Sequence, residues 1–132
     1  MKRLALILSL LGSPAAAHDY PVQIERWLDS DTYAGTMDMG LGVILSAQFR
    51  LMCINSPEQD TDAGQALTEA VRGIQAGSVE VAGKDAFGRV LSYFTPEGWD
   101  ETLNAWLYRQ GAPLYGRLSR ADRVECLERM GG

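Results

Sequence analysis

The sequence contains little histidine and little cysteine, with one histidine, His18, and two cysteines among 132 residues. Most zinc sites need several such ligands, so this composition excludes most kinds of zinc centre. Two cysteines are also too few for a disulfide-rich scaffold. Because His18 lies near the N-terminus, a Ser-His-Asp or Cys-His catalytic group is disfavoured.

An excess of positive charge is also missing. The formal net charge is −5, which at first argues against a polyanion such as nucleic acid as the partner. Apolar residues make up 46% of the chain and charged residues 22%. This composition is typical of a globular protein, and the length is typical of a single domain.

The first seventeen residues have the three-part pattern of a secretory signal peptide. A basic start with Lys2 and Arg3 precedes an apolar run over residues 4–11, and residues 15–17 are three alanines. The alternatives are a core helix or a membrane anchor, but an anchor needs about 20 apolar residues. We therefore expect a mature domain of residues 18–132, periplasmic or secreted and without stable membrane association. Removing Lys2 and Arg3 leaves 10 basic and 17 acidic residues, a net charge of −7.

The mature chain alternates short apolar strands with helical patterns, which predicts an α+β domain that is mainly β. Gly40 and Gly42 interrupt the second strand region and indicate a bent or bulged strand. Ser119 begins a capping box before the last helix. The predicted strands are residues 20–27, 33–39 with 41–45, 48–54, 78–82 and 89–94. The predicted helices are residues 62–75, 99–110 and a short segment after residue 119.

The two cysteines allow two interpretations. Cys53 lies in a predicted apolar strand and Cys126 in the predicted C-terminal helix. In an oxidising compartment they can pair if that helix packs against that strand. Otherwise both are small buried hydrophobic residues.

Two carboxylates lie together in a polar turn. Asp29 and Asp31 flank Ser30, so their side chains can converge on a hard cation. The alternative is an Asx turn in which the carboxylates only accept hydrogen bonds from backbone amides. Taken alone, the turn favours this second interpretation.

Four further polar residues change that balance. Arg50 interrupts an apolar strand, Asn55 and Glu58 follow its end, and Arg89 begins a later strand. A cation can neutralise phosphate oxygens, a carboxylate can take a proton from water, and guanidinium groups can bind the remaining oxygens. Together with the two aspartates, these residues suit metal-assisted hydrolysis of a phosphodiester.

The order of these residues resembles the staphylococcal nuclease family. The matching segments are DSDT at residues 29–32, RLMCINSPE at 50–58 and DAFGR at 85–89. Residues 38–42 resemble a loop of the bacterial and phage branch, and residues 103–107 and 111–115 resemble downstream segments. The resemblance covers residues 22–115, and it implies an OB-fold five-stranded barrel with two or three packed helices.

The resemblance also implies calcium-dependent cleavage of DNA and RNA by water attack on phosphorus, leaving 3′-phosphate ends. One calcium ion is expected. By position, Asp31 would bind it directly, Asn55 would occupy a second ligand position, and the backbone carbonyl of Ser56 would be a third ligand. Asp29 would lie beside the metal.

The remaining matched positions would act on the substrate. Glu58 would orient or activate water, and Arg50 and Arg89 would bind the phosphate and stabilise the transition state. Tyr115 would line the base pocket, although the segment before it is shorter than in the family. The expected substrate is DNA, RNA or both, and the expected state is a monomer.

Four substitutions depart from the family pattern. Asn55 replaces an aspartate, which removes one negative charge and should lower calcium affinity. Ser30 replaces a glycine in the metal turn. Ala86 and Phe87 replace a lysine and a tyrosine that could reach phosphate. The retained Asp31, Arg50, Glu58 and Arg89 still favour catalysis.

Two other functions remain open at this point. One is a non-catalytic barrel of the same lineage that binds nucleic acid or protein, which the net charge favours. The other is a secreted inhibitor or acidic partner of a basic protein, which needs none of the site residues. If the chain is a nuclease, its acidity predicts weak non-specific affinity for DNA and a strong need for metal.

Overall fold

A computed structural model describes residues 19–131 of the protein. The predicted signal peptide at residues 1–17 lies outside the described residues, as do His18 and Gly132. Within residues 19–131, no helix is both long enough and apolar enough to cross a membrane.

Five strands form a closed barrel in the order β1-β2-β3-β5-β4. All neighbouring pairs are antiparallel except β3 and β5, which run parallel from Phe49–Val90 to Leu51–Ser92. This confirms the predicted OB-type α+β class, mainly β. The strands are β1 (Asp19–Asp29), β2 (Thr32–Asp38), β3 (Ile44–Leu51), β4 (Ala76–Lys84) and β5 (Val90–Pro96).

Three helices pack around the barrel, each with a side-chain cap at its N-terminus. They are α1 (Asp62–Val71), α2 (Leu103–Arg109) and α3 (Arg120–Arg129). The Ser119 cap is confirmed, because its hydroxyl accepts from the amide of Asp122. The second helix begins later than predicted, because Thr102 rather than a residue near Trp99 caps it.

The region between β2 and β3 is a hairpin rather than a bulged strand. Gly40 and Gly42 have φ of 85° and 81°, and Leu41 between them has φ of 56°. These left-handed conformations reverse the chain, so Asp38 pairs with Ile44. The predicted strands 41–45 and 48–54 are therefore wrong in their bounds, since one strand runs from Ile44 to Leu51.

An aromatic cluster fills the barrel beneath β2 and β3. Tyr33 stacks on Phe49 at 5.1 Å with an interplanar angle of 12°, and Phe94 lies 5.3 Å from Tyr33. Trp27 packs edge-on against Tyr33 at 5.0 Å. Tyr33 directly follows Thr32, and Phe49 directly precedes Arg50. The aromatic cluster therefore fixes the two strand ends that carry these polar residues.

Cys53 and Cys126 form a disulfide with their Cα atoms 5.7 Å apart. This resolves the two interpretations of the cysteines in favour of pairing. Cys53 lies in a bend after β3, not in the strand, and has φ of 77°. The bond closes a loop with a sequence separation of 73, for which the chain-entropy account gives about 4 kcal/mol of stabilisation.

Candidate functional site

The polar turn between β1 and β2 fixes the first two carboxylates. Asp29 pairs with Thr32 across the turn, and its Oδ1 accepts from the Asp31 amide at 3.1 Å. The Thr32 hydroxyl donates to Asp31 Oδ1 at 2.8 Å. The predicted Asx contact is therefore present. Asp31 itself is only 4% exposed, so its carboxylate lies inside the protein.

Asp31 lies close enough to Asp29 to oppose its ionisation. The pKa of Asp29 is raised to about 7 by burial and then by hydrogen bonding and repulsion from Asp31. The Asp31 amide and the Arg50 guanidinium oppose this shift only in part. Burial and Asp31 therefore oppose ionisation of Asp29, and a cation beside the two carboxylates would offset that cost.

Arg50 is buried, 7% exposed as a residue, at the end of β3. Its Nη1 donates to the carbonyl of Ile54 at 2.6 Å and to that of Leu51 at 3.1 Å, and lies 3.3 Å from Asp31 Oδ2. Its Nη2 donates to Asn55 Oδ1 at 3.3 Å. A guanidinium has five N–H donors, so two N–H groups of Arg50 make no side-chain or backbone hydrogen bond within the described chain.

The chain that follows β3, residues 52–58, wraps around Arg50 and Asp31; we name it the site loop. The Ser56 amide donates to Asp31 Oδ2 at 2.8 Å, which joins the site loop to the polar turn. Asn55 is exposed, and its backbone amide donates to the carbonyl of Pro113 at 2.9 Å. Asp31, Arg50, Asn55 and Ser56 thus form one continuous network.

Tyr115 covers the Arg50 guanidinium. The Cζ atom of Arg50 lies 5.0 Å from the centre of the Tyr115 ring, and the Tyr115 hydroxyl donates to the carbonyl of Leu51 at 2.9 Å. Burial raises the pKa of the Tyr115 phenol, and the charges of Arg50 and Arg89 oppose that shift. Both guanidinium groups therefore act on one phenol.

Arg89 stands on the same face as Arg50. Phe49 pairs with Val90, and both are buried, so Arg50 and Arg89 project from the opposite side of the sheet. Arg89 Nε donates to Asp85 Oδ2 at 2.6 Å, and its amide donates to Asp85 Oδ1 at 3.0 Å. The Arg89 side chain is 29% exposed, so it is held in place yet reachable from solvent.

Glu58 is exposed at the end of the site loop, and only its backbone is fixed. Its carbonyl accepts from the amide and the hydroxyl of Thr61 at 3.0 and 2.7 Å. A Cβ on Gly64 would lie 1.9 Å from that carbonyl oxygen, so α1 approaches here only because residue 64 is glycine. Within residues 19–131 the Glu58 carboxylate joins neither the Asp31 network nor Arg89.

The donor set of the polar turn fits a hard cation. Two carboxylates stand side by side, and the Ser30 and Ser56 hydroxyls are buried without a hydrogen-bond partner in the described chain. Buried oxygens without hydrogen-bond partners next to two carboxyl groups suit calcium, which takes oxygen ligands only. Among residues 19–131 no group of three or more acidic, cysteine or histidine side chains is placed to hold a metal ion, so Glu58 does not complete a carboxylate cage.

Three residues that support the site were not predicted from the sequence. Thr32 holds Asp31, and Asp85 holds Arg89. Asn104 is fully buried in α2, where it accepts from the Phe94 amide and donates to the carbonyls of Met52 and Ser92. An acidic residue four positions before an arginine in a turn could have indicated Asp85, but nothing local distinguishes Asn104.

Comparison with known proteins gives a consistent set of relatives. No protein-family model matches the chain. A protein of Escherichia coli named as an uncharacterized endonuclease is 30% identical over 115 residues, covering 84% of this chain and 71% of its own length. A protein of the same name from Escherichia coli O157:H7 is 30% identical over 115 residues, with the same coverage of both chains.

Proposed function

Because the chain belongs to the family of these Escherichia coli endonucleases, we propose that it is a calcium-dependent nuclease of the staphylococcal nuclease type. It hydrolyses phosphodiester bonds of DNA, RNA or both. The observation that carries this proposal is the continuous network of Asp31, Arg50, Asn55 and Ser56, with Arg89 on the same face. Metal-assisted hydrolysis of a phosphodiester uses anionic oxygens and guanidinium groups side by side.

The two arginines bind the phosphate. Arg50 keeps two N–H donors beyond its internal contacts, and Arg89 is reachable from solvent while Asp85 fixes its Nε. A pair of guanidinium groups on one sheet face can hold two phosphate oxygens and stabilise the charge that builds on them. Because Arg50 is buried, this charge is stabilised in a region that excludes much of the water.

Glu58 orients the attacking water and accepts its proton. Its carboxylate is exposed and free of other contacts within the described chain, so it is available to a bound water. Its backbone is fixed by Thr61 and by the close approach of Gly64, which limits where the carboxylate can reach. The site loop connects it directly to Ser56 and Asn55.

Calcium would be held by Asp31, the Asn55 side-chain oxygen and the Ser56 carbonyl, with Asp29 beside them. When bound, it supplies positive charge that neutralises the phosphate and helps place the water. In their ionised forms Asp29 and Asp31 would attract this ion, while Asn55 would supply an oxygen without a charge. The protein works as a monomer on this proposal, and residues 1–17 direct it to the periplasm or the medium.

A second function, nucleic-acid binding without cleavage, is favoured by one observation. Arg50 spends most of its donors on the protein, and no contact joins Glu58 to the other site residues in the described chain. A binding module would need the arginines, and replacing Glu58 would leave its nucleic-acid binding unchanged. The two functions therefore differ in their dependence on Glu58.

The deciding experiment compares Glu58→Gln with Glu69→Gln, which makes the same chemical change on exposed α1. We expect the oxidised wild type to degrade single-stranded DNA or RNA with calcium and to stop with a chelator. Glu58→Gln should lower the rate by about 100-fold or more while binding and unfolding stay unchanged. Glu69→Gln should match the wild type. Binding without any degradation would instead establish the second function.

A further inference from the structure

The disulfide enters the site loop directly before its functional residues. Cys53 is two positions ahead of Asn55 and three ahead of Ser56. It holds a left-handed backbone conformation, φ of 77°, which non-glycine residues rarely adopt without outside support. The bond to Cys126 provides such support, because it ties this bend to α3 on another part of the chain.

The residues after Cys53 make the contacts that organise the site. The Ile54 carbonyl accepts from Arg50 Nη1, the Asn55 side chain accepts from Arg50 Nη2, and the Ser56 amide donates to Asp31. All three contacts depend on where the site loop lies relative to β3. A displacement of Cys53 would therefore move the partners of both Arg50 and Asp31.

The disulfide is the principal internal anchor of α3. Cys126 is the only buried residue within this helix, and its other residues are partly or fully exposed. One turn later Arg129 pairs with Glu80 and lies 4.2 Å over the Tyr93 ring. Tyr93 also lies beside the Cys53 sulfur, with its hydroxyl 3.5 Å away. The helix is therefore held to the barrel by the disulfide, by the Arg129 ion pair and by the buried Met130 at its C-terminus.

The segment that precedes α3 depends on the same place. The Tyr115 amide donates to the Cys53 carbonyl at 3.0 Å, and Leu114 forms a bridge with Ile54. Tyr115 in turn covers Arg50. The disulfide thus supports both the site loop and the residue that packs on the buried arginine.

We propose that the Cys53–Cys126 disulfide is a redox switch that positions the site loop, an inference that rests on the proposed function. Cleavage is active when the bond is intact and falls when a dithiol reduces it. Both cysteines are buried, 0% and 1% exposed, so α3 opens locally before a dithiol reaches the bond. One thiolate of the dithiol then attacks a sulfur, releases one cysteine and forms a mixed disulfide, and the second thiolate of the dithiol releases the other cysteine. Two cysteine thiols and one cyclic disulfide result, so two electrons and two protons pass to the protein. The nuclease is thereby held inactive in a reducing compartment and becomes active where disulfides form.

The experiment measures cleavage and amide hydrogen exchange on the full chain, oxidised and after treatment with a dithiol. On reduction we expect the cleavage rate to fall by about tenfold or more, and reoxidation to restore it. The amides of Asn55, Ser56 and Tyr115 should exchange about tenfold faster, while those of Val79 and Phe94 in the barrel stay protected. These barrel amides separate a local change from general unfolding.

Two variants control the interpretation. Cys53→Ala/Cys126→Ala should have the low rate of the reduced protein and should not respond to the dithiol, which excludes an effect of the reagent on the assay. Arg129→Met removes the ionic anchor of α3 but keeps the disulfide, and we expect it to keep the oxidised rate.

Three results would overturn the proposal. One is an unchanged rate and unchanged loop exchange after reduction. Another is faster exchange of all amides together, which would assign the bond to overall stability alone. The third is an equal loss of activity in Arg129→Met. If the oxidised wild type cleaves nothing, the proposed function fails, and the exchange at Asn55 and Ser56 still decides whether the disulfide holds the site loop.

Discussion

Replacing Arg50 by methionine tests the buried network at its centre. Arg50 and Asp31 are both almost fully buried, with side-chain exposures of 9% and 6% and a separation of 3.3 Å. Methionine keeps much of the side-chain volume but leaves the Asp31 carboxylate beside Asp29 without its cation. Removing one partner of a buried pair costs about 3–5 kcal/mol, because the remaining charge stays buried and uncompensated.

The expected loss is large relative to the stability of a domain of this size. Native domains unfold with about 5–15 kcal/mol, so Arg50→Met removes a substantial share of the total. With a urea m-value of about 2 kcal/mol per M, the unfolding midpoint should fall by about 2 M. Urea titrations of the oxidised protein, followed by circular dichroism in a chelator, measure this directly.

A double-mutant cycle separates the ion pair from the other contacts of Arg50. Asp31→Asn alone should also destabilise the protein, because it leaves the guanidinium buried without its counter-charge. The double variant should cost less than the sum of the two single variants by about 2 kcal/mol. Additive costs, or a midpoint for Arg50→Met within about 0.5 M of the wild type, would refute the account of a buried, charge-coupled site.

Three further variants test other parts of the site. Asp29 has a raised pKa of about 7 in the folded protein. Between pH about 4 and about 7 the folded state therefore binds more protons than the unfolded state, so the metal-free wild type should lose stability as the pH rises through this range. Asp29→Asn should lack this loss in thermal melts with a chelator, and an identical pH dependence would contradict the assignment. Asp85→Asn should cost under about 1 kcal/mol of stability, because the pair is partly exposed, yet it should raise the KM for an oligonucleotide by freeing Arg89. Asn104→Leu should cost about 3 kcal/mol in urea titrations, because it leaves the Met52 carbonyl and the Phe94 amide without their Asn104 partner, while the Ser92 carbonyl keeps the Met52 amide.

The barrel followed from local patterns in the sequence. Alternating apolar residues and the turn residues between them predicted five strands and the helices after them, and the family resemblance predicted their closure. The pattern was misleading where an apolar residue stands in a turn. Leu41 is fully exposed at the hairpin tip, where its flanking glycines allow the chain to reverse. Because leucine is hydrophobic, the sequence pattern wrongly placed it in a strand.

The site was predictable as a set of residues but not as a set of contacts. The order of Asp31, Arg50 and Ser56 in the chain predicted that they act together, and the structure brings them into one network. The bend at Cys53 arises from contacts with Cys126 and Tyr115, which lie 73 and 62 positions away. No local pattern encodes such contacts, so neither the disulfide nor the shape of the site loop could be derived from the sequence around Cys53.

The roles of Glu58, of calcium and of residues 1–17 stay predictions. The proposed catalytic role depends on Glu58, which is exposed, and a bound ligand determines whether its carboxylate contacts a water.

The acidity of the chain has a different meaning once the site is considered. Two of the carboxylates lie where a cation would be held, so local charge and overall charge serve different roles.

The most direct measurement is the calcium dependence of cleavage in the wild type and in Asn55→Asp. Asn55 is exposed and accepts from Arg50, so an aspartate fits the same contact and adds one negative charge to the proposed ligand set. The account predicts a saturable calcium dependence that a chelator abolishes, with half-saturation at about tenfold lower calcium in Asn55→Asp. Cleavage that persists in chelator, or an Asn55→Asp curve that coincides with the wild type, would contradict it.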